Sequence, residues 1–212
     1  ARYRLIFEEL LVLQSGLFYI KRGAQSRGSG ISALKEVSVK PFEDNFRFRL
    51  TDGQKKVFRE IEADRESDKP MNRLVQGDVG SGKTAVAEMA MFKAVKSGFQ
   101  AVMMAPTELL AKQHIVTLKR DFEPFGIRAE LLCSATKLKE REQILEDLAA
   151  GRIDILMGTH AVIQPDVIFR NLGLVITDEQ HRFGVNQRTL LSQKGKNPDI
   201  LVMTATPIPR TL

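Results

Sequence analysis

Apolar residues along this chain recur with two alternating periods. Ile6, Leu10, Leu13 and Leu17 fall at spacings of four, three and four, which predicts one face of an amphipathic helix from about Arg2 to Ile20. Such a face needs a partner surface. Gly23 through Gly30 reads Gly-Ala-Gln-Ser-Arg-Gly-Ser-Gly, small polar residues that gain little from burial, and predicts a flexible linker with a domain boundary in it. Thr51 can then cap a helix in which Gln54, Val57, Phe58 and Ile61 follow at helical spacing. Beyond it, short apolar runs alternate with helical patterns. The strands are the run before Gly77, then Gln100–Ala105, Arg128–Leu132, Ile153–Met157, Leu174–Thr177 and Ile200–Met203. The helices are one carrying Val86, Met89, Ala90, Lys93 and Ala94 that stops near Gly98, one from Thr107 to about Arg120, and Leu138–Ala149. This alternation predicts an α/β fold: a doubly wound, mainly parallel sheet with helices on both faces.

In such sheets ligands gather at the carboxyl ends of the strands. The polar signatures of this chain stand there: Gly77 to Thr84, Pro106-Thr107, Gly158-Thr159-His160, Asp178-Glu179-Gln180-His181 and Thr204-Ala205-Thr206. The first is the most specific. Gly77-Asp78-Val79-Gly80-Ser81-Gly82-Lys83-Thr84 has the spacing of a phosphate-cradling P-loop, with a strand before it and a helix after. Glycines let consecutive N–H groups converge on an anion, and the helix starting near Gly82 adds its positive end. Lys83 reaches the β and γ phosphates and the Thr84 hydroxyl ligates Mg²⁺, so ATP and Mg²⁺ are the cofactors expected.

Asp178 and Glu179 follow the apolar strand Leu174–Thr177. Beside a P-loop, Asp178 is expected to hold Mg²⁺, and Glu179 to orient and deprotonate the water that attacks the γ phosphate. Lys83, Asp178 and Glu179 are therefore the catalytic candidates. Neither His160 nor His181 has a second His or Cys at ligand spacing, which argues against metal at both. His114 reads as a satisfied surface or groove residue. Cys133 reads as a small buried side chain. Gln54 offers a donor and an acceptor that complement an adenine edge, yet on spacing alone an ordinary exposed glutamine is the simpler reading.

Composition narrows the setting. A chain of 212 residues with 43% hydrophobic content buries a real core, one domain plus an appendage. No run is long and apolar enough to span a bilayer, so no membrane partner is expected. One cysteine allows no internal disulfide and fits a reducing compartment. The net charge of +6 is concentrated in residues 21–60, which hold ten Lys or Arg against five acids. That basic segment beside an ATP site hints at a polyanionic partner, though scattered charge alone weighs little.

Together these motifs are similar to those of superfamily 2 helicases. Gly77 to Thr84, Ala105 to Ala111, Gly158 to Ala161, Asp178 to His181 and Thr204 to Pro207 correspond to motifs I, Ia, Ib, II and III. Asp178 to Val185 and Met203 to Leu212, with the opening Arg4 to Leu10, more narrowly resemble the RecG-type family of bacterial DNA branch-migration helicases. The resemblance implies a first RecA-like lobe over residues 41–212 and, over residues 1–40, a helix and basic linker leaving a wedge domain. It implies that Gln54 reads adenine, and that Gln180, His181, Thr204 and Thr206 couple the γ phosphate to DNA-contacting loops. It also implies that Pro106, Thr107, Gly158, Thr159 and His160 lie along a DNA backbone. Branched or fork DNA, a second RecA-like lobe and the wedge domain of the same polypeptide are the partners it implies, in the bacterial cytoplasm with the nucleoid.

Three departures stand out. Thr177 replaces an apolar residue usual in the family. Leu131-Leu132-Cys133-Ser134 stands where the family usually has Leu-Leu-Thr-Gly. No arginine-finger motif of a second lobe follows, so these residues are expected to be a piece of a longer protein and a poor motor alone. A transcription-repair coupling translocase shares most of the motifs, but usually carries a second Glu where Gln180 stands. A DNA-binding module with a vestigial ATP site would not need Lys83, Thr84, Asp178 and Glu179 together.

Overall fold

The computed structural model describes residues 7, 8, 10–12, 14–16, 36–67, 69–178, 190, 191 and 193–205. Residues 7, 8, 10–12 and 14–16 are helical. Of the apolar face expected there, Leu10 alone is described, and it is half exposed. The linker from Gly23 to Gly30 lies outside the described residues.

Six strands form one wholly parallel sheet: β1 (Asn72–Gln76), β2 (Gln100–Met104), β3 (Ala129–Leu132), β4 (Ile155–Gly158), β5 (Leu172–Asp178) and β6 (Asp199–Thr204). Their order in space is β1-β6-β5-β2-β4-β3. The helices are α1 (Lys40–Asp44), α2 (Asp52–Arg65), α3 (Lys83–Lys96), α4 (Glu108–Phe122) and α5 (Leu138–Ala149). Alternate residues of the strands feed two cores, as the period of two requires. Ala101 and Met103 of β2 join α1 to α4 on one face, while Val102 and Met104 join α5 on the other. The α/β sheet with helices on both faces is thus present. Among the described residues, no helix is long and apolar enough to cross a membrane.

The helices start and stop for local reasons. Thr51 opens α2 with a reciprocal box: its hydroxyl accepts from the Gln54 N–H at 3.2 Å, and Gln54 Oε1 accepts from the Thr51 N–H at 2.8 Å. Gly98, at φ 85°, takes the left-handed turn after α3. Positions Ala85 to Ala94 of α3 are all buried, as befits a helix enclosed by its neighbours. Lys93 in that run is neutralised by Glu62 at 2.6 Å and by Glu66, both presented by α2 and its end. Helix α1 went unforeseen, because five residues are too few to show a period. Its Phe42 is fully buried and packs on Phe92 and Phe122 at ring distances of 4.8 and 4.7 Å.

Candidate nucleotide site

β1 delivers the chain to Gly77, whose N–H donates to the Thr204 carbonyl of β6 at 3.2 Å. The chain then folds back on itself, with the Ser81 N–H donating to the Asp78 carbonyl at 3.1 Å. Gly80 and Gly82 hold φ of 81° and 78°, a region that side chains with a Cβ resist. At two of its glycines the loop is also crowded. A Cβ at Gly77 would lie 2.7 Å from Ser81 Oγ, and one at Gly82 only 2.1 Å from Gln54 Nε2. Lys83 spans the loop, its Nζ donating to the carbonyls of Gly77 at 2.6 Å and Asp78 at 2.9 Å. Thr84 is half-buried at the first turn of α3, and Val79 at the tip is 90% exposed.

Gln54 stands beside this loop although it precedes Ser81 by 27 residues. Its Nε2 donates to the Ser81 carbonyl at 2.8 Å, while its Oε1 is engaged by the Thr51 N–H. The glutamine is therefore built into the loop's wall.

The register of the sheet brings the acidic end of β5 to the same level. Gln76 pairs with Thr204, and Asp178 pairs with Met203, so three adjacent strands end together. With strands about 4.8 Å apart, the ends of β1 and β5 lie roughly 10 Å from each other. Thr204 is buried, and its carbonyl ties β6 to the phosphate loop. Glu179, Gln180, His181 and Thr206 lie outside the described residues.

The residues present suit a nucleotide with a hard divalent cation. The loop is a cradle that a Cβ at Gly77 or Gly82 would crowd, and the Thr84 hydroxyl and Asp178 carboxylate are the oxygen donors Mg²⁺ takes.

One neighbour was missed by sequence reasoning. His114 Nε2 lies 3.4 Å from Asp178 Oδ2, with the side chains 18% and 16% exposed. The signal was available in α4. Ala111, Ile115, Leu118 and Phe122 form its buried stripe, and His114 lies on the flank of that stripe, three residues after Ala111 and four before Leu118.

The segments expected to line a DNA backbone lie at the ends of neighbouring strands. Thr107 caps α4, its hydroxyl accepting from the Leu110 N–H at 3.3 Å, and Pro106 is half-buried just ahead of it. Gly158 and Thr159 are buried, and a Cβ at Gly158 would meet the Leu132 carbonyl at 2.2 Å. Only His160 of that trio is exposed, so the other two could reach a phosphate only through their backbone. In the loop after β3, the Cys133 N–H donates to Thr136 Oγ1 at 3.0 Å.

Residues 51–212 match the DEAD/DEAH box helicase family. The chain belongs to that family. Within it, the chain is 51% identical over 213 residues to the ATP-dependent DNA helicase RecG of Bacillus subtilis (strain 168), covering 100% of this chain and 31% of that protein. It is 49% identical to RecG of Thermotoga maritima, again over 100% of this chain and over 27% of that protein. A solved structure of RecG bound to a three-way DNA junction superposes with a TM-score of 0.85 at 47% identity, covering 100% of this chain and 28% of that one. The chain therefore spans less than a third of the length of these helicases. A structure of the DUF1998 helicase MrfA, at 17% identity and TM-score 0.64, shares the fold.

Proposed function

We propose that this chain is the ATP-binding lobe of an ATP-dependent DNA helicase that remodels branched DNA and stalled forks. One observation carries the reading: a phosphate cradle, held by Gln54 and by the Thr204 carbonyl, stands level in the sheet with the Asp178 carboxylate. RecG relatives supply the context, an ATP-dependent DNA helicase and a bound three-way junction. Residues 41–212 form the first RecA-like lobe, and residues 1–40 are the connection from a wedge domain. A second lobe of the same polypeptide completes the motor, which acts in the bacterial cytoplasm on the nucleoid.

In this reading Lys83 gives up the carbonyls of Gly77 and Asp78 when phosphate oxygens arrive, and the loop N–H groups from Asp78 to Thr84 grip those oxygens. Mg²⁺, when bound, neutralises charge on the β and γ phosphates; Thr84 and Asp178 would hold it. Glu179 takes the proton of the attacking water. Thr204, with Gln180, His181 and Thr206, relays the state of the site toward Pro106, Thr107 and the backbone at Gly158 to His160, which meet DNA phosphates without reading sequence. An arginine of the second lobe contributes roughly 10³ to 10⁵ in rate where such fingers are removed, so residues 1–212 alone turn over slowly.

The test is a titration with a fluorescent ATP analogue, with and without Mg²⁺, followed by ATP hydrolysis by the polypeptide as its gene encodes it. Saturable, metal-dependent binding, and hydrolysis stimulated more by a three-way junction than by linear duplex, are expected. Absence of metal-dependent binding would overturn the nucleotide site. Equal stimulation by both DNAs would overturn the preference for branches.

A further inference from the structure

The phosphate chemistry above makes no use of His114, yet this imidazole is the one side chain that the described structure sets against the Asp178 carboxylate. The two meet across elements: Asp178 ends β5, and His114 lies on α4 about two turns beyond the Thr107 cap. Nε2 is 3.4 Å from Oδ2, and both side chains are more than four-fifths covered. An exposed pair at this distance would be ordinary surface, worth little. This pair is not free to drift. The helix is keyed to the sheet by Ala111, Ile115, Leu118 and Phe122, each at most 7% exposed, so His114 cannot move along the sheet without disturbing the core. The aspartate backbone is equally fixed by its register with Met203. What remains free is rotation within the two side chains, and an imidazole 3.4 Å from one oxygen restricts how the carboxylate turns.

We propose that His114 is a positioning residue for Asp178: its imidazole, set against one carboxylate oxygen, limits how the carboxylate turns and thereby sets the orientation in which the other oxygen meets the nucleotide-bound cation. The inference rests on the nucleotide reading above. Groups that orient metal-holding side chains in this way change metal affinity by about 10- to 100-fold when removed.

The experiment uses the polypeptide as its gene encodes it, in wild-type, His114→Ala and His114→Gln forms. The Mg²⁺ concentration for half-maximal binding of a fluorescent ATP analogue is measured beside the thermal melt of each protein. His114→Ala is expected to need roughly tenfold more Mg²⁺. Its affinity for the analogue without metal stays unchanged. His114→Gln, whose amide N–H reaches a similar point, recovers most of the difference even if the alanine variant melts early. A wild-type Mg²⁺ requirement in His114→Ala, or no recovery in a folded His114→Gln, overturns the positioning role while leaving the nucleotide site standing. Loss of metal-dependent binding in the wild type overturns the nucleotide reading, and this inference with it.

Discussion

Gln54 and Ser81 are joined by a 2.8 Å hydrogen bond from the side-chain amide to the loop carbonyl, so the start of α2 and the phosphate cradle form one structure. The amide occupies the space where a side chain at Gly82 would project, 2.1 Å from the ideal Cβ position. Gly82 also holds φ 78°. A Gly82→Ala change therefore has to displace Gln54 and accept a strained backbone together, at about 1–3 kcal/mol for the strain alone. The expected result is loss of fluorescent ATP analogue binding by at least roughly tenfold, since 1.4 kcal/mol is a factor of ten. Wild-type affinity in a folded Gly82→Ala protein would show that the cradle tolerates a methyl group.

A second link ties α2 to the far end of the sheet. Arg65 is 1% exposed and donates from Nε to Asp199 Oδ2 at 2.8 Å and from Nη1 to the Ala90 carbonyl at 2.7 Å. Asp199 Oδ1 accepts from the Met71 N–H at 2.9 Å. Burial pushes the Asp199 pKa up against the opposing pull of the guanidinium and that N–H. Asp199→Ala leaves a cation in the core and is expected to cost about 3–5 kcal/mol in urea unfolding. Pairing Arg65→Met with Asp199→Leu should return much of it, because no charge then remains buried. A double variant as unstable as Asp199→Ala would mean that the hydrogen bonds to Ala90 and Met71 matter more than the charge.

Local chemistry explains how much of this could be read from sequence. The cradle was legible because glycine, lysine and threonine at fixed spacing serve a local geometry, and α5 was legible because its period and ends are local too. Strand β5 runs from Leu172, two residues before the apolar run suggested, since Gly173 lies against Phe99, where a Cβ would sit 2.5 Å from that side chain. Strand order depends on contacts between distant segments. Nothing near Asn72 or Asp199 announces that β1 and β6 are neighbours. His114 was assigned to a surface or groove because its partner lies 64 residues away. The neighbours of Gln54 became legible only once α2 and the loop were placed together.

Thr177 offers a test of core chemistry beneath the acidic strand end. It is fully buried in β5, between Met104 and Val202 on the flanking strands, and among the described residues its hydroxyl has no hydrogen-bond partner. A buried hydroxyl left without a partner costs about 1–3 kcal/mol. Thr177→Val keeps the branched shape and removes that group, so it should raise stability by about 1 kcal/mol, read as a higher urea midpoint at unchanged slope. A lower midpoint would show that the hydroxyl is satisfied after all.

Glu88 makes stability depend on pH in an unusual direction. It lies on α3, 2% exposed, with Oε1 unpartnered among the described residues. Burial, reinforced by the Asp121 carboxylate and only partly offset by the Arg120 guanidinium, pushes its pKa from 4.5 to about 8. Below pH 4.5 the carboxyl is protonated in both folded and unfolded chains and contributes nothing to the pH dependence. Between 4.5 and 8 the folded chain keeps a proton that the unfolded chain has lost, so stability falls as pH rises, by at most about 1.4 kcal/mol per unit. Above 8 both forms are ionised and the penalty is complete. Asp147 and Asp166, whose pKa values are lowered by Arg152 and Arg141, act only at more acid pH and do so equally in any Glu88 variant. Glu88→Gln keeps the shape and cannot ionise, so its urea-unfolding free energy should pull ahead of the wild type steadily from pH 5 to pH 8. Parallel curves for the two proteins across that range would mean that Glu88 is already ionised in the folded chain, and that the helix interior around it admits charge.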